Sequence, residues 1–348
     1  MTTFKHLYMS ESRDIRYKMG HQLQSMLLQC SINGRKCSSR HFTTFQSESY
    51  GNCFTLQINE SIIDEPGVDT GMQMILFLET PEYIHGITDG NGARVVIHEP
   101  DTIPHPTQEG FFVPAAFETS IGLKLVSVTR LGKPFGTCTD QDIFFQEHGV
   151  KYTFQTCLWM CKARKVIEVC NCLSSRSYDN LLRTKISTDV KLCETKKERK
   201  CARKFAEKVR SKTLQCDCPQ ACKENKYTKF ISTHQYPSSD YVYMLLKGVC
   251  ERNRRHCVEL KEQVNEPRLL SLNFLKLVIY YEELNYEHIK ETPEIEDAQF
   301  LSDVGGALGL WIGLSLLSVF EVIQLIVEMG SLLLLRPTAI RPRKQSCK

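Results

Sequence analysis

Hydrophobic residues are most concentrated near the C-terminus, where residues 304–335 form a nearly unbroken apolar stretch. A helix needs about 20 apolar residues to cross a bilayer, and buried helices of soluble proteins are rarely apolar for so long. At about 1.5 Å per residue the stretch exceeds the hydrocarbon core, so a helix here must tilt, break or protrude. The pattern therefore predicts a membrane segment and disfavours a buried hairpin.

Shorter patterns upstream predict a mixture of strands and helices. The helical spacing of Phe154, Leu158, Cys161 and Lys165 predicts a helix at residues 150–169, and a second helix is predicted at 189–214. β-Prone runs separated by Gly, Pro or Asn predict strands at residues 71–78, 93–98, 121–129 and 269–281. The chain is therefore expected to combine α and β structure.

Charges beside the apolar stretch predict its orientation. Seven acidic residues lie between residues 282 and 297, whereas the residues after the stretch are basic: Arg336, Arg341, Arg343, Lys344 and Lys348. Basic flanks stay in the cytoplasm, so the C-terminus is predicted to be cytoplasmic and residues 1–300 extracellular. Fifteen of the 16 cysteines then lie on the oxidising side, where disulfides persist.

Two further features bear on this orientation. Asn59-Glu60-Ser61 is a glycosylation sequon, which predicts a glycan on Asn59 in the secretory pathway. Residues 1–30 contain no signal peptide, although the large N-terminal part must be translocated. We therefore expect the sequence to be an N-terminally truncated part of a longer protein whose upstream segment starts translocation.

Ten cysteines crowd into residues 138–222. Cys157 and Cys161 are one helical turn apart, and Cys216 and Cys218 have a similar spacing in extended chain, so two parallel disulfide rungs are possible. The remaining six would lie at the ends of this ladder: Cys138 with Cys222 at one, and Cys170, Cys172, Cys193 and Cys201 at the other. Zinc is the alternative, because Cys-Asn-Cys and Cys-Asp-Cys are ligand-like, but the extracellular side argues against it.

These cysteine motifs resemble the degenerin/epithelial sodium channel family, which includes amiloride-sensitive and acid-sensing channels, and in particular its invertebrate degenerin-like subunits. The resemblance runs from about residue 15 to residue 335. It rests on Met26-Leu-Leu-Gln-Cys30, Tyr50-Gly-Asn-Cys53-Phe-Thr, Phe154-Gln-Thr-Cys157-Leu-Trp-Met-Cys161, Cys170-Asn-Cys172-Leu173, Cys216-Asp-Cys218-Pro219-Gln-Ala-Cys222 and Asp303-Val-Gly305-Gly306-Ala-Leu-Gly309-Leu.

The resemblance implies an α+β membrane protein with a disulfide-rich extracellular domain and one C-terminal transmembrane helix. The family's first transmembrane helix would lie outside the sequence. The implied domains are a finger and palm remnant at 1–53, a β-rich palm, β-ball and finger at 54–137, a disulfide-laddered helical thumb at 138–222, knuckle and palm strands at 223–300, the second transmembrane helix with the pore at 301–335, and a cytoplasmic tail at 336–348.

The family also implies a set of disulfides. The pairs are Cys30–Cys37, Cys138–Cys222, Cys157–Cys218, Cys161–Cys216, Cys170–Cys201 and Cys172–Cys193. In the family, Cys53 pairs with a cysteine just after the first membrane helix, so Cys53 is expected to lack a partner here. Cys250 and Cys257 are candidates to pair with each other, and Cys347 is expected to be a free cytoplasmic thiol.

Polar residues recur on one side of the apolar stretch. Ser315, Ser318, Glu321, Gln324 and Glu328 follow helical spacing. Carboxylates at such a depth are costly when they face lipid and usually line a pathway, where a ring of Glu would attract cations. The alternative is a structural carboxylate paired with a partner. Gly305, Gly309 and Gly313 form a small-residue stripe that also suits close helix packing.

The resemblance assigns more specific roles within this stretch. Gly313, Leu314 and Ser315 occupy the position of the selectivity filter, where the membrane helix breaks into an extended belt. Ser302 falls where a bulky substitution holds degenerins open, and Asp303 matches an acidic or amide residue at the outer mouth. Ser318, Glu321 and Glu328 would line the pore below the filter.

A strongly basic run precedes the last cysteines of the ladder. Residues 191–212 contain ten Lys or Arg and three Glu. Such a run is usually a solvated face; a site for a polyanion or acidic peptide is the alternative. In acid-sensing relatives this helix holds paired carboxylates, but the corresponding residues here are Arg203 and Glu207. The resemblance therefore does not support acid sensing by that pair.

The function implied is a subunit of a sodium-permeable, amiloride-sensitive cation channel in the plasma membrane. The expected partners are Na⁺ and other monovalent cations, the lipid bilayer, and related subunits in a homo- or heterotrimer. A net charge of +4 gives no reason to expect nucleic acid, and no catalytic motif, metal site or cofactor is predicted. The alternatives are a single-pass cysteine-rich receptor or adhesion protein and a non-conducting modulatory subunit. The stimulus, mechanical or peptide, stays open.

Overall fold

The computed structural model describes residues 2–57, 63–84, 86–174, 181–182, 190–211, 215–313 and 315–334. Its helices are α1 Thr2–Ser10, α2 Arg13–Met19, α3 Leu23–Met26, α4 Pro106–Glu109, α5 Gln141–His148, α6 Phe154–Cys170, α7 Lys196–Arg210, α8 Tyr241–Arg252, α9 Arg254–Lys261, α10 Pro267–Ser271, α11 Asp297–Ile312 and α12 Leu316–Leu334. Its strands are β1 Leu27–Ile32, β2 Arg35–Lys36, β3 Phe42–Ser47, β4 Gly51–Leu56, β5 Met72–Phe77, β6 Gly92–Val95, β7 Phe111–Pro114, β8 Phe117–Thr129, β9 Cys138–Thr139, β10 Gln220–Ala221, β11 Lys223–Gln235 and β12 Phe274–Lys290. The chain divides into two compact units, Met1–Glu291 and Thr292–Lys348.

The first unit is organised around a six-stranded sheet with the strand order β11-β8-β12-β5-β1-β2. The neighbours β8 and β12 are parallel, and the other pairs are antiparallel. At the centre of the sheet, Leu277 on β12 is opposite Met74 on β5 and Thr119 on β8. Three stretches far apart in sequence therefore form the middle of the sheet.

Both sides of this central region are covered. Side chains alternate along a strand. Phe274 accordingly joins a core with Phe77 and the helices α8–α10, where Val242, Leu260 and Leu270 are fully buried. The next residue, Leu275, packs on the opposite side with Ile121 and Val113, beside the β6–β7 hairpin. Burial on both sides explains the nearly continuous apolar sequence here.

The predicted strand at 269–281 is correct only in its second half. Residues Pro267–Ser271 form the short helix α10, and β12 begins at Phe274. Proline is favoured in the first helical turn because its fixed φ and missing N–H are both tolerated there. Beyond the prediction, β12 continues to Lys290 beside β8, with residues 282–290 exposed.

The described residues form seven disulfides, and six of these are the pairs that the resemblance implied. These are Cys30–Cys37, Cys138–Cys222, Cys157–Cys218, Cys161–Cys216, Cys170–Cys201 and Cys172–Cys193, with Cys250–Cys257 as the seventh. The rungs from Cys157 and Cys161 join α6 to the extended segment before β10, with Cα separations of 5.8 and 6.1 Å. Cysteines engaged in this way offer no thiolate to zinc.

The helix predicted at 189–214 begins later than expected. α7 runs from Lys196 to Arg210, and residues 190–195 before it are not helical; residues 189 and 212–214 lie outside the described residues. Leu192 forms a parallel bridge with Leu173, and Cys193 is bonded to Cys172. Thr195 then caps the helix: its hydroxyl accepts from the Glu198 N–H at 3.1 Å, and the Glu198 carboxylate accepts from the Thr195 N–H at 2.9 Å.

Candidate functional site

The apolar stretch is divided by a break at Gly313. α11 ends at Ile312, and Gly313 adopts φ 63° and ψ 23°, the left-handed conformation that glycine accepts without steric cost. Its N–H donates to the carbonyl of Leu308 and so closes the helix end. The segment expected at 301–335 therefore consists of two helices, α11 and α12, which are interrupted at the position where the family resemblance led us to expect a break.

Ser315 directly precedes the second of these helices. Its Oγ accepts from the Ser318 N–H at 3.2 Å and lies 3.1 Å from the Ser318 hydroxyl. The Val319 N–H donates to the Ser315 carbonyl at 3.2 Å. Ser315 is therefore an N-cap for α12. The predicted filter residues Gly313 and Ser315 are the two ends of the break, and Leu314 lies outside the described residues.

α12 carries a polar stripe on one side. Ser318, Glu321, Gln324 and Glu328 are spaced by three or four residues, so they lie along one side of the helix. The Gln324 amide donates to Glu328 Oε1 at 2.9 Å. Among the residues that the structure describes, no hydrogen-bond or ion-pair partner is found for the Glu321 carboxylate. The two carboxylates therefore differ: Glu328 is held by an amide, whereas Glu321 projects freely.

The predicted outer-mouth residues lie on α11. Asp303 accepts from the Gln299 side-chain amide one turn earlier, at 2.7 Å, and Ser302 is exposed beside it. Large apolar side chains near the break are also exposed, among them Trp311 at 85% and Leu317 at 71%. Apolar exposure on this scale indicates a surface that another apolar phase or chain covers.

None of the described helices combines the length and the hydropathy that a membrane span needs.

Cys53 is a free thiol on β4 and is half-buried. Burial raises the pKa of this thiol to about 12, so it is protonated and weakly nucleophilic at neutral pH. The predicted glycosylation site Asn59 and the thiol of Cys347 both lie outside the described residues.

A cluster of one buried carboxylate and two imidazoles was not predicted from the sequence. Glu79 is 3% exposed and contacts His21 Nδ1, while its other oxygen lies 3.4 Å from His256 Nε2. His256 packs edge-on against Phe77. Glu79 also has φ 50°, an uncommon conformation for a residue other than glycine. The cluster joins three distant parts of the chain, and nothing in the local pattern around Glu79 signals it.

Comparison with known proteins identifies relatives over most of the chain. Residues 2–325 match the family described as Amiloride-sensitive sodium channel. The chain is 27% identical over 413 aligned residues to the FMRFamide-activated amiloride-sensitive sodium channel of Cornu aspersum, covering 95% of this chain and 65% of that protein. It is 28% identical over 323 residues to the epithelial sodium channel subunit gamma of Pelodiscus sinensis, covering 89% and 46%.

A nematode protein extends the comparison. The degenerin-like protein unc-105 of Caenorhabditis elegans is 27% identical over 333 residues, covering 91% of this chain and 36% of that protein. The chain thus spans between about a third and two thirds of the length of these relatives. Because the match covers nearly every described element, the chain belongs to the amiloride-sensitive sodium channel family, the family of the degenerins and epithelial sodium channels.

Proposed function

We propose that the chain is a subunit of a sodium-permeable, amiloride-sensitive cation channel of the plasma membrane, and that it assembles as a trimer with itself or with related subunits. The observation that carries the proposal is the break at Gly313 between two helices with exposed apolar side chains, followed by the polar stripe of α12. A plain membrane anchor needs neither the break nor the carboxylates.

In this proposal, residues 301–335 cross the bilayer as two helical halves joined at Gly313. The break frees backbone carbonyls near Gly313 and Ser315, and such groups can replace part of an ion's hydration shell. Three copies of Glu321 would form an acidic ring that attracts cations and repels anions. Ser302 and Asp303 would lie at the outer mouth, where Ser302 controls opening, and Ser318 and Glu328 would line the inner pathway.

The remaining domains follow in the same proposal. The six-stranded sheet corresponds to the palm, the disulfide-linked helices α6 and α7 to the thumb, and helices α8–α10 to the knuckle. All of this part is extracellular, in keeping with its disulfides. The tail after residue 335 is cytoplasmic, in keeping with its basic residues.

The test is electrical recording from oocytes that express the full product of the gene. After Ser302→Cys is modified with a bulky thiol reagent, we expect an inward Na⁺ current that amiloride blocks. Ser302→Ala with the same reagent is the control, because any current that it develops must come from modification of another thiol, such as Cys53 or Cys347.

The pore assignment has its own comparison in the same recordings. In the Ser302→Cys background, Glu321→Gln is expected to lower single-channel conductance or Na⁺ selectivity, because it removes the carboxylate that projects freely. Glu328→Gln, whose carboxylate is already held by Gln324, is expected to have a smaller effect. If the modified channel conducts and neither Glu substitution alters the current, residues 301–335 do not line the pathway.

A further inference from the structure

One side of α7 carries almost only basic residues. Seven exposed cationic side chains project from this helix: Lys196, Lys197, Arg199, Lys200, Arg203, Lys204 and Lys208. At 100° per residue they occupy about half of the helix circumference, and they extend over roughly 18 Å of its axis. Glu207 is the single acidic residue on this side of the helix. We call this surface the basic side of α7.

The opposite side of α7 holds the helix in place. Phe205 is buried in a small core with Val166 of α6, and Ala202 and Val209 pack against that core. Cys201 is bonded to Cys170 at the end of α6. The helix therefore cannot turn about its axis, and the basic side is fixed in an outward position. A rigid row of cations loses little conformational freedom when it binds an anion.

In the part of the chain that the structure describes, ion pairs do not neutralise the charges on this side. Among the described residues, no acidic oxygen lies within ion-pair distance of the seven side chains, and the nearest pair on this segment, Lys191 with Glu198, is a separate contact. Four pairs of like charge are also spaced by four residues, such as Lys196 with Lys200 and Arg199 with Arg203. Such pairs destabilise a helix slightly unless an anion screens them.

The composition of the basic side narrows the class of ligand. Among its described side chains it presents no aromatic and no large aliphatic residue, since Phe205 and Val209 face inward. Insertion into a lipid surface needs an apolar face, and a protein partner usually needs apolar anchors. Binding of single-stranded nucleic acid relies on aromatic stacking. A straight, purely cationic surface suits an extended polyanion with closely spaced anionic groups.

We propose that the basic side of α7 binds a sulfated polysaccharide. The ladder of disulfides indicates an oxidising, extracellular setting, where such polymers occur. The contact would be electrostatic, so its affinity should fall steeply with salt through release of counterions. This inference goes beyond the channel proposal and does not depend on the pore, because it concerns only the helix α7.

The test uses the full-length protein purified in detergent and passed over immobilised heparin at physiological salt. The triple variant Lys200→Ala/Arg203→Ala/Lys204→Ala is expected to bind heparin at least about tenfold more weakly than the unmodified protein. The reason is that each basic residue contributes to the attraction by an anionic surface. The matched control is Lys247→Ala/Arg254→Ala/Lys261→Ala, which removes three exposed charges from α8 and α9 and should bind like the unmodified protein.

A further variant makes the test sharper. Glu207→Gln removes the single carboxylate on the basic side and is expected to raise the salt concentration that elutes the protein. Equal loss in the two triple variants would overturn the proposal, since only net charge would then matter. Absence of binding to heparin, retention on the same polymer after desulfation, or equally strong binding to vesicles containing phosphatidylserine would overturn it as well.

Discussion

The central sheet and the α6–α7 helical pair are stabilised in different ways. The sheet and helices α8–α10 share a core of nine buried residues, and its two local disulfides, Cys30–Cys37 and Cys250–Cys257, each close only seven residues. The core between α6 and α7 has four buried members, Val166, Cys172, Cys193 and Phe205, two of which are half-cystines. Five disulfides spanning 21 to 84 residues hold that second region.

The difference follows from what each sequence can bury. β5 and β12 present apolar residues to both sides, so their burial can offset the entropy of folding. α7 has one apolar stripe and an otherwise cationic surface, which cannot do so alone. Cross-links compensate by restricting the unfolded chain, and they do so more for longer loops. The sheet therefore depends on packing, and the helical pair depends on its cystines.

The largest expected effect comes from reduction. Treating the full chain with a reductant under otherwise native conditions should release α6 and α7 while the sheet stays folded. Hydrogen exchange read by mass spectrometry should show lost protection at residues 154–170 and 196–210, and retained protection at β5, β8 and the first half of β12. A chelator should change neither region. Protected helices after verified reduction of all five bonds would contradict this account.

The second test acts on the sheet. Phe274→Ala removes a ring that is fully buried and lies 5.7 Å from the Phe77 ring between their centroids. We expect the free energy of unfolding to fall by about 3–5 kcal/mol, because a cavity is left in a well-packed core. The matched control is Phe230→Ala on the edge strand β11, where the ring is 50% exposed, and should cost less than about 1 kcal/mol. Similar losses in denaturant titrations with intact disulfides would break the comparison.

Sequence reasoning succeeded where local pattern decides structure. The strand β5 and the helix α6 were predicted because their apolar spacing is regular and their surroundings favour turns. It failed at Leu269 and at residues 190–195. In the first case a proline begins a helical turn, and in the second a disulfide from Cys193 holds the chain extended. The proline lies only two residues before Leu269 and was a local signal that was missed, whereas the disulfide depends on Cys172, a partner that no local window around Cys193 contains.

The membrane segment shows the same limit at one residue. Gly305, Gly309 and Gly313 have the same spacing and equally apolar neighbours. Gly305 and Gly309 stay helical, and only Gly313 takes a positive φ. Spacing alone gave no reason to choose between them, and the expected break came from the family resemblance. The buried contact of Glu79 with His21 and His256 was invisible for a related reason, since its members are distant in sequence.

A third test varies the pH and concerns the contact between α6 and the residue that precedes α4, His105. His105 is buried, and its Nε2 lies 3.2 Å from the Thr156 hydroxyl on α6. Burial, with a smaller effect of nearby His98, lowers the pKa of His105 to about 4. The unfolded chain, with a histidine pKa of about 6.5, therefore takes up the proton first. The stabilisation is complete above about pH 6.5 and is lost as pH falls towards 4.

Because of this shift in pKa, the free energy of unfolding should be about 2 kcal/mol lower at pH 5 than at pH 6.5. Burial also lowers the pKa of His98, which adds to the effect in the same direction. His105→Gln should flatten the dependence of the unfolding midpoint on pH, whereas His234→Gln, an exposed histidine on β11, should preserve it. An unchanged slope in His105→Gln would show that another group is responsible.

The smallest expected effect concerns the start of α7. Thr195→Ala removes the hydroxyl that accepts from the Glu198 N–H at 3.1 Å, and caps of this kind contribute about 1 kcal/mol. Because Cys201 is tied to Cys170 one turn further on, we expect the loss to be confined to the first turn. Hydrogen exchange should accelerate near Glu198 and stay unchanged near Phe205, and Thr195→Ser should restore protection because its hydroxyl accepts the same bond. If Thr195→Ala instead exposed all of α7 with its disulfides intact, the helix would depend on its cap more than on its cross-links, and the contrast with the sheet would have to be redrawn.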